Sequence, residues 1–161
     1  MKPYESVLST IMPEVSFGYS TIRVYRPQEL EAGQVGYSIS EDGKSLIGDE
    51  DGDWRKSWIV IGYEECCGDP IFIDKAMDEY PVYTAVHGED QWEPVCIAVS
   101  LAGFGQALSA IANLGKGREN PTALEENPLP ESEKDKALAS IRRSNPTAEL
   151  EFWELLLESQ E

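Results

Sequence analysis

The sequence has little of what metal sites and most catalytic sites are built from. Its 161 residues include one histidine and three cysteines. Cys66, Cys67 and Cys96 form no C-x-x-C pair, and His87 has no second histidine to act with it, so the usual zinc ligands are missing. No G-x-S-x-G motif accompanies His87 either. We therefore expect no metal, no cofactor and no catalytic residue, and we interpret His87 as the end of a strand.

Long hydrophobic runs are also missing. No apolar stretch approaches the length that spans a bilayer, and residues 1–5 lack the apolar core of a signal peptide. The adjacent Cys66 and Cys67 admit either a strained vicinal disulfide or two free thiols, and so few cysteines favour free thiols in a reducing compartment. We expect a cytoplasmic protein that does not bind membranes.

Positive charge is scarce. Thirteen Lys and Arg stand against 30 Asp and Glu, which leaves a net charge of −17. Such a chain repels the phosphates of nucleic acids and the headgroups of anionic lipids. The charge either serves solubility alone or suits a basic protein partner.

What the sequence does contain is a block of short apolar runs between Trp54 and Phe104. The runs at 54–62, 69–74, 81–88 and 92–100 are rich in Val, Ile, Tyr and Trp, and each is bounded by Gly, Pro, Asp or Glu. Connections this short indicate antiparallel strands. We predict an α+β fold, with a twisted, mostly antiparallel sheet of about six strands and helices packed mainly on one face. Trp58 and Tyr83 are predicted to be buried at its centre.

The residues before this block predict further strands. Ser20 to Tyr25 and Gln34 to Ser40 both alternate apolar and polar side chains. The Asp-Gly pair within residues 41–44 predicts a hairpin turn, with residues 45–47 as the return strand.

The residues after the block predict helices. Ser100 caps a helix that ends at Gly115, and a polar helix covers 131–143. Asn145 with Pro146 predicts the start of a last helix. We divide the chain into a core at 1–115, a linker at 116–131 and C-terminal helices at 132–161 that pack on the same domain.

Acidic turns at strand ends are the candidate binding surface. Residues 48–53 suggest calcium ligands, but the spacing of an EF-hand fails, and a solvated loop is favoured. Trp54 and Trp92 lie beside acidic turns, so each is either a core residue or an aromatic anchor for a basic partner. The predicted partner-binding residues are Asp49, Glu50, Asp51, Asp53, Trp54, Glu64, Glu65, Asp69 and Trp92.

The ordered motifs of the middle third resemble those of the SMI1/KNR4 (SUKH) superfamily. A strand ending in W-x-V-I-G is followed by G-D-P-I-x-I-D, P-V-Y, a Trp, and I-A-x-S leading into a helix with Phe. The matching residues are Trp58, Val60, Ile61, Gly62, Gly68, Asp69, Pro70, Ile71, Ile73, Asp74, Pro81, Val82, Tyr83, Trp92, Ile97, Ala98, Ser100 and Phe104.

The resemblance implies a binding module rather than an enzyme. Many SUKH-like proteins are similar to immunity proteins that neutralise toxins encoded beside them, often nucleases or deaminases, and others resemble fungal regulatory scaffolds. We expect a non-catalytic immunity protein for a basic, nuclease-type toxin. The alternatives are a scaffold without a toxin, and an enzyme or small-ligand sensor that uses His87 and Asp90.

Overall fold

The fold is built on one antiparallel sheet of six strands in the order of the chain. The computed structural model describes residues 2–86, 91–118, 121, 122, 124 and 127–158. Each strand pairs with the next one along the chain, so the sheet is a curled meander and needs no crossover. The strands are β1 (Glu14–Phe17), β2 (Ser20–Val24), β3 (Trp58–Glu64), β4 (Pro70–Asp74), β5 (Val82–Thr84) and β6 (Val95–Ala98).

Helices precede, interrupt and follow the sheet, which confirms the predicted α+β class. They are α1 (Pro3–Leu8), α2 (Leu30–Gly33), α3 (Leu101–Gly115), α4 (Glu131–Ser144) and α5 (Glu151–Leu157). A 3₁₀ turn at Pro27–Glu29 leads into α2. The hydroxyl of Ser100 accepts a hydrogen bond from the Gly103 N–H at 2.9 Å, so α3 begins at the predicted cap. No helix among the described residues is long and apolar enough to cross a bilayer.

The two faces of the sheet receive different side chains, because successive strand residues point to opposite sides. In β4, Ile71 and Ile73 belong to the core on one face, and Phe72 belongs to a separate cluster on the other. An irregularity in the β3–β4 register between Val60 and Gly62 shifts the pairing at this point. Gly62 is required there, because a Cβ would lie 2.0 Å from the carbonyl oxygen of Arg23 on β2.

The face that carries Ile71 and Ile73 is covered by α1, α3, α4 and α5, and we call it the helix face. Its core holds fully buried side chains from the sheet and from these helices, including Phe104 and Trp153. The indole N–H of Trp153 donates to the carbonyl of Ile97 at 2.8 Å, and so ties α5 to the edge strand β6. The C-terminal helices therefore share one core with the sheet.

The opposite face is covered by the irregular segment 34–57, and we call it the loop face. The predicted strands at 34–40 and 45–47 are wrong, since only isolated bridges such as Ile39–Ser45 occur there. The predicted turn is present, with Gly43 at φ +86° and Ser40 N–H donating to Lys44 at 2.8 Å.

The position beside β3 is already occupied, which explains why this segment stays outside the sheet. Beyond the end of β2, the side chain of Gln34 donates to the Val60 carbonyl at 2.8 Å and accepts from the Val60 N–H at 2.9 Å. One side-chain amide thus satisfies the backbone groups that a further strand residue would have paired.

The predicted burial of the aromatic residues is also corrected. Trp58 and Tyr83 are half-buried rather than buried, because both point to the loop face, where the cover is incomplete. Trp54 is 1% exposed instead, although it precedes β3.

Asn145 does not start the last helix, which begins at Glu151. Its side chain is fully buried and joins three elements. The Oδ1 atom accepts from the Val99 N–H at 3.0 Å, and Nδ2 donates to the carbonyls of Gly103 and Ile141 at 3.2 and 3.1 Å. Such a saturated buried amide fixes how α3 and α4 meet at the end of β6.

Candidate protein-binding surface

The acidic loop at 48–53 is a closed turn with three carboxylates in solvent. Asp53 Oδ2 accepts the Glu50 N–H at 3.0 Å, and a Cβ on Gly48 would lie 2.0 Å from the same oxygen. Asp53 is therefore used to close the loop. Asp49, Glu50 and Asp51 are exposed, and Asp51 lies 3.9 Å from Arg55 in an open ion pair that contributes little.

This loop is hydrogen-bonded to the stretch that carries the second candidate tryptophan. The backbone N–H of Trp92 donates to the carbonyl of Gly52 at 2.8 Å, and a Cβ on Gly52 would lie 2.6 Å from the side chain of Gln91. Trp92 is half-buried, with its ring 5.3 Å from Trp54 and 5.7 Å from Tyr37 between ring centres. Trp92 is thus held by a backbone hydrogen bond and by ring contacts, and it remains partly accessible, as an aromatic anchor requires.

Trp54 cannot serve as an anchor. It packs against four other aromatic rings, with Phe72 4.8 Å away between centres. Its indole N–H is buried and has no acceptor among the described residues. Its part in the surface is to support Trp92 from below.

A cavity of about 840 Å³ opens beside Gln91, where β5 ends and β6 begins. Asp69 and Glu93 supply carboxylates to its wall, and no cation contributes among the described lining residues. Val86 and Val95 supply apolar surface, at 59% and 42% exposure. Burial raises the pKa of Tyr37, and the negative charge of Asp69 raises it further, which places that charge close to the aromatic cluster.

Glu64 is buried, contrary to the prediction that it lies on the surface. It is 3% exposed, and its carboxylate accepts the N–H groups of Cys66 at 2.6 Å and Cys67 at 3.0 Å, together with the hydroxyl of Ser20. The carboxylate organises the turn after β3 and joins it to β2. The carboxylate of Glu64 therefore interacts with backbone donors and is not available to a partner.

Glu65 is exposed but already paired. Its Oε2 accepts from Arg23 Nε at 3.1 Å, and Arg23 also contacts Glu14 at 2.9 Å. The guanidinium offsets the field that Glu65 would present, so we leave Glu65 out of the surface.

Glu64, Cys67 and Asp69 form a group whose ligand atoms lie within 4.8 Å of one another. Desolvation and the neighbouring Glu64 carboxylate raise the pKa of the Cys67 thiol to about 11. A thiol is a metal ligand as thiolate, and the Glu64 oxygens already accept several hydrogen bonds. The group suits a protonated thiol better than a metal ion, and the absence of a metal stays a prediction.

The structure therefore brings together only part of the predicted set. Asp49, Glu50, Asp51, Asp69 and Trp92 remain, and Asp53, Trp54, Glu64 and Glu65 do not. Glu93 was missed, although it follows Trp92 directly, because only the structure shows that it lines the same cavity as Asp69. We call Asp49, Glu50, Asp51, Asp69, Glu93 and Trp92 the acidic surface. His87 and Asp90, the residues of the enzyme alternative, lie outside the described residues.

Comparison of the chain with protein-family models, with curated proteins and with solved structures finds no match.

Proposed function

We propose that this protein is a non-catalytic binding module whose acidic surface engages a basic protein. The observation that carries the proposal is the half-buried Trp92, packed against Trp54 between an exposed acidic loop and a cavity walled by Asp69 and Glu93. Interface energy concentrates in such preorganised aromatic anchors, and surrounding charge sets the association rate and the choice of partner.

The partner that fits this surface best is a toxin with a basic substrate groove, such as a nuclease, so the protein acts as its immunity protein. The resemblance of residues 58–104 to the SUKH superfamily supports this role, and so does the net charge of −17. An acidic protein can occupy a groove that binds nucleic acid phosphates and so block it.

The test is binding to the product of the gene beside its own, followed by kinetics at several salt concentrations. Asp49→Asn, Glu50→Gln and Asp51→Asn together should slow association about tenfold at low salt and flatten its salt dependence. The matched control changes Asp135, Glu154 and Glu158 to their amides, which removes three exposed charges from the C-terminal helices. Equal effects of both triple variants would show that net charge alone matters and would remove the acidic surface from the proposal.

Trp92→Ala should instead act on dissociation, with a loss of about 2 kcal/mol, or roughly thirtyfold in Kd. Trp92→Phe retains a ring against Trp54 and is the control for the fold. If Trp92→Ala folds normally and binds with unchanged affinity, Trp92 is not the anchor.

A further inference from the structure

Two Asp-Gly pairs lie in turns of the loop face, Asp42-Gly43 and Asp51-Gly52. The side chain of an aspartate can be attacked by the backbone nitrogen of the next residue, which closes a succinimide ring. Glycine at the second position favours this reaction, because it has no Cβ to obstruct the approach. The two pairs are alike in sequence, but their turns use the glycine N–H differently.

The turn at 40–43 occupies both groups that would have to react. Gly43 is its fourth residue, and the Gly43 N–H closes the turn by donating to the Ser40 carbonyl at 3.0 Å. The Asp42 carboxylate accepts from the Ser40 hydroxyl and lies 3.8 Å from Lys44 Nζ. The hydrogen bond from Ser40 lowers the pKa of Asp42, which leaves less of the protonated carboxyl that can lose water. Asp42 is therefore protected.

The turn that contains Asp51 leaves the corresponding nitrogen unused. Here the Asp53 N–H closes the turn on the Glu50 carbonyl at 3.0 Å, and Gly52 is the third residue, with φ +90°. The Gly52 N–H has no hydrogen-bond acceptor in the part of the chain that the structure describes. The Asp51 side chain is fully exposed and makes only the open contact of 3.9 Å with Arg55. Neither reacting group has a strong interaction to break.

We propose that Asp51 is a site of spontaneous isoaspartate formation, and that the fold protects Asp42 from the same modification. The product belongs to the substrate class of protein isoaspartyl methyltransferases. Asp51 lies in the acidic surface, but the reaction needs no protein partner and is independent of the proposed function.

The reaction consumes and returns one water molecule. The Gly52 nitrogen attacks Cγ of the protonated Asp51 carboxyl, so that a C–N bond forms and the hydroxyl leaves as water with the proton from nitrogen. Water then adds to the ring. Opening at Cγ restores aspartate, whereas opening at the main-chain carbonyl of Asp51 leaves the Cγ–N bond as the new backbone link and a free α-carboxylate.

The modification alters the backbone beside Trp92 and retains the charge. It adds a methylene group to the main chain between the Cα of Asp51 and Gly52. The Gly52 carbonyl accepts the backbone N–H of Trp92 at 2.8 Å, so the change falls next to this hydrogen bond. The amide resonance of Trp92 should therefore shift in modified molecules.

The test compares the two pairs in one full-length protein, incubated in mildly acidic buffer both folded and in urea. Trypsin cleaves after Lys44 and so places the pairs in different peptides. Methyl transfer by a protein isoaspartyl methyltransferase measures isoaspartate, and mass spectrometry locates it. In the folded protein Asp51 should react about fivefold faster than Asp42 or more, because the Gly43 N–H must first leave its hydrogen bond. In urea the two rates should be similar.

Two matched variants assign the signal to one residue. Asp51→Glu keeps the charge but requires a larger ring, which closes more slowly, and should remove the isoaspartate from its peptide. Asp42→Glu is the control and should leave that signal unchanged. The glycine stays in place, because a Cβ on Gly52 would lie 2.6 Å from the side chain of Gln91.

The proposal is wrong if the folded protein forms no isoaspartate at Asp51, or forms it there no faster than at Asp42. A signal that persists in Asp51→Glu would come from Asp49 or Asp53 and would also overturn it. If urea leaves the ratio of the two rates unchanged, flanking residues and not the turns set the difference, and the protection of Asp42 by the fold is refuted.

Discussion

The apolar side chains on the two faces of the sheet are buried by different kinds of structure. The helix face is covered by four helices over a continuous core, much of it aliphatic and fully buried. The loop face is covered by an irregular segment, and among the described residues its buried core consists of Trp54, Val60, Phe72 and Ala85. Half-buried aromatic rings complete it, including Trp58, Tyr83 and Trp92.

One tryptophan on each face shows the difference at the level of atoms. Trp153 and Trp54 are both buried. The Trp153 N–H has the Ile97 carbonyl as its acceptor at 2.8 Å, whereas the Trp54 N–H has none among the described residues. The buried tryptophan of the helix face thus has its indole N–H satisfied, and that of the loop face does not, among the described residues. We infer that stability resides mainly on the helix face, while the loop face carries the proposed binding surface.

The largest expected effect is the loss of stability when one tryptophan on each face is truncated to alanine. Trp153→Ala should lower the free energy of unfolding by about 4 kcal/mol, because it removes a fully buried ring and leaves a cavity. Trp58→Ala should cost only about 2 kcal/mol, since its ring is half-buried. Sequence reasoning alone would assign Trp58 the cost of a core residue. Urea denaturation of both variants measures the difference, and equal losses would mean that the faces contribute alike.

A smaller effect isolates the hydrogen bond from the ring. Trp153→Phe leaves the Ile97 carbonyl without its donor, and should cost about 2 kcal/mol. Trp54→Phe removes a donor that has no acceptor in the part of the chain that the structure describes, so its cost should be about 1 kcal/mol lower than that of Trp153→Phe. The two variants lose the same atoms, which makes each the control for the other. A larger cost for Trp54→Phe would contradict the contrast between the faces.

The smallest expected effect concerns the reactivity of the Cys67 thiol in the turn after β3. The pKa of Cys67 is raised to about 11, so its thiol stays protonated at neutral pH and should alkylate slowly despite its exposure. In a variant with Cys66 and Cys96 changed to Ser, the iodoacetamide rate should rise until the pH passes about 11. Since a raised thiol pKa favours the protonated folded state, any stability that it contributes is lost between about pH 9 and 11.

Glu64→Gln supplies the control for this charge effect. It removes the negative charge next to Cys67 while keeping an oxygen that can accept from the turn. The alkylation rate at pH 8 should therefore increase. Mass spectrometry follows the reaction, and an unchanged rate in Glu64→Gln would remove Glu64 as a cause of the raised pKa.

Much of the helix face was predictable from the sequence, because its signals are periodic and local. Ser100 and Gly115 bound α3 as expected, and the strands between Trp58 and Ala98 follow apolar runs with turn residues between them. The segment 34–47 shows how the same reasoning fails. Alternating side chains predicted a strand at 34–40, and the Asp-Gly turn predicted its return strand at 45–47. However, β2 and the Gln34 amide already occupy the side of β3 that a new strand would need.

The acidic surface was predictable only in part, since the charge of a residue does not show whether its side chain points to solvent or to the interior. Glu64 and Glu65 are adjacent in the sequence, yet one is buried among backbone donors and the other is paired with Arg23. Asp69 and Glu93 are 24 positions apart in the numbering and line the same cavity. No local sequence pattern predicts that these two residues line one cavity, because this depends on where the ends of β4, β5 and β6 lie in the folded sheet.

The sequence by itself determined the charge, the α+β class and the antiparallel strands between Trp58 and Ala98, because these follow from composition, from short-range periodicity and from turn residues. Only the tertiary structure decided which carboxylates face solvent, and that Trp54 is buried while Trp92 remains accessible. Each of these depends on contacts between residues far apart in the chain, because such contacts determine which side chains are buried, which are paired and which charges lie close together.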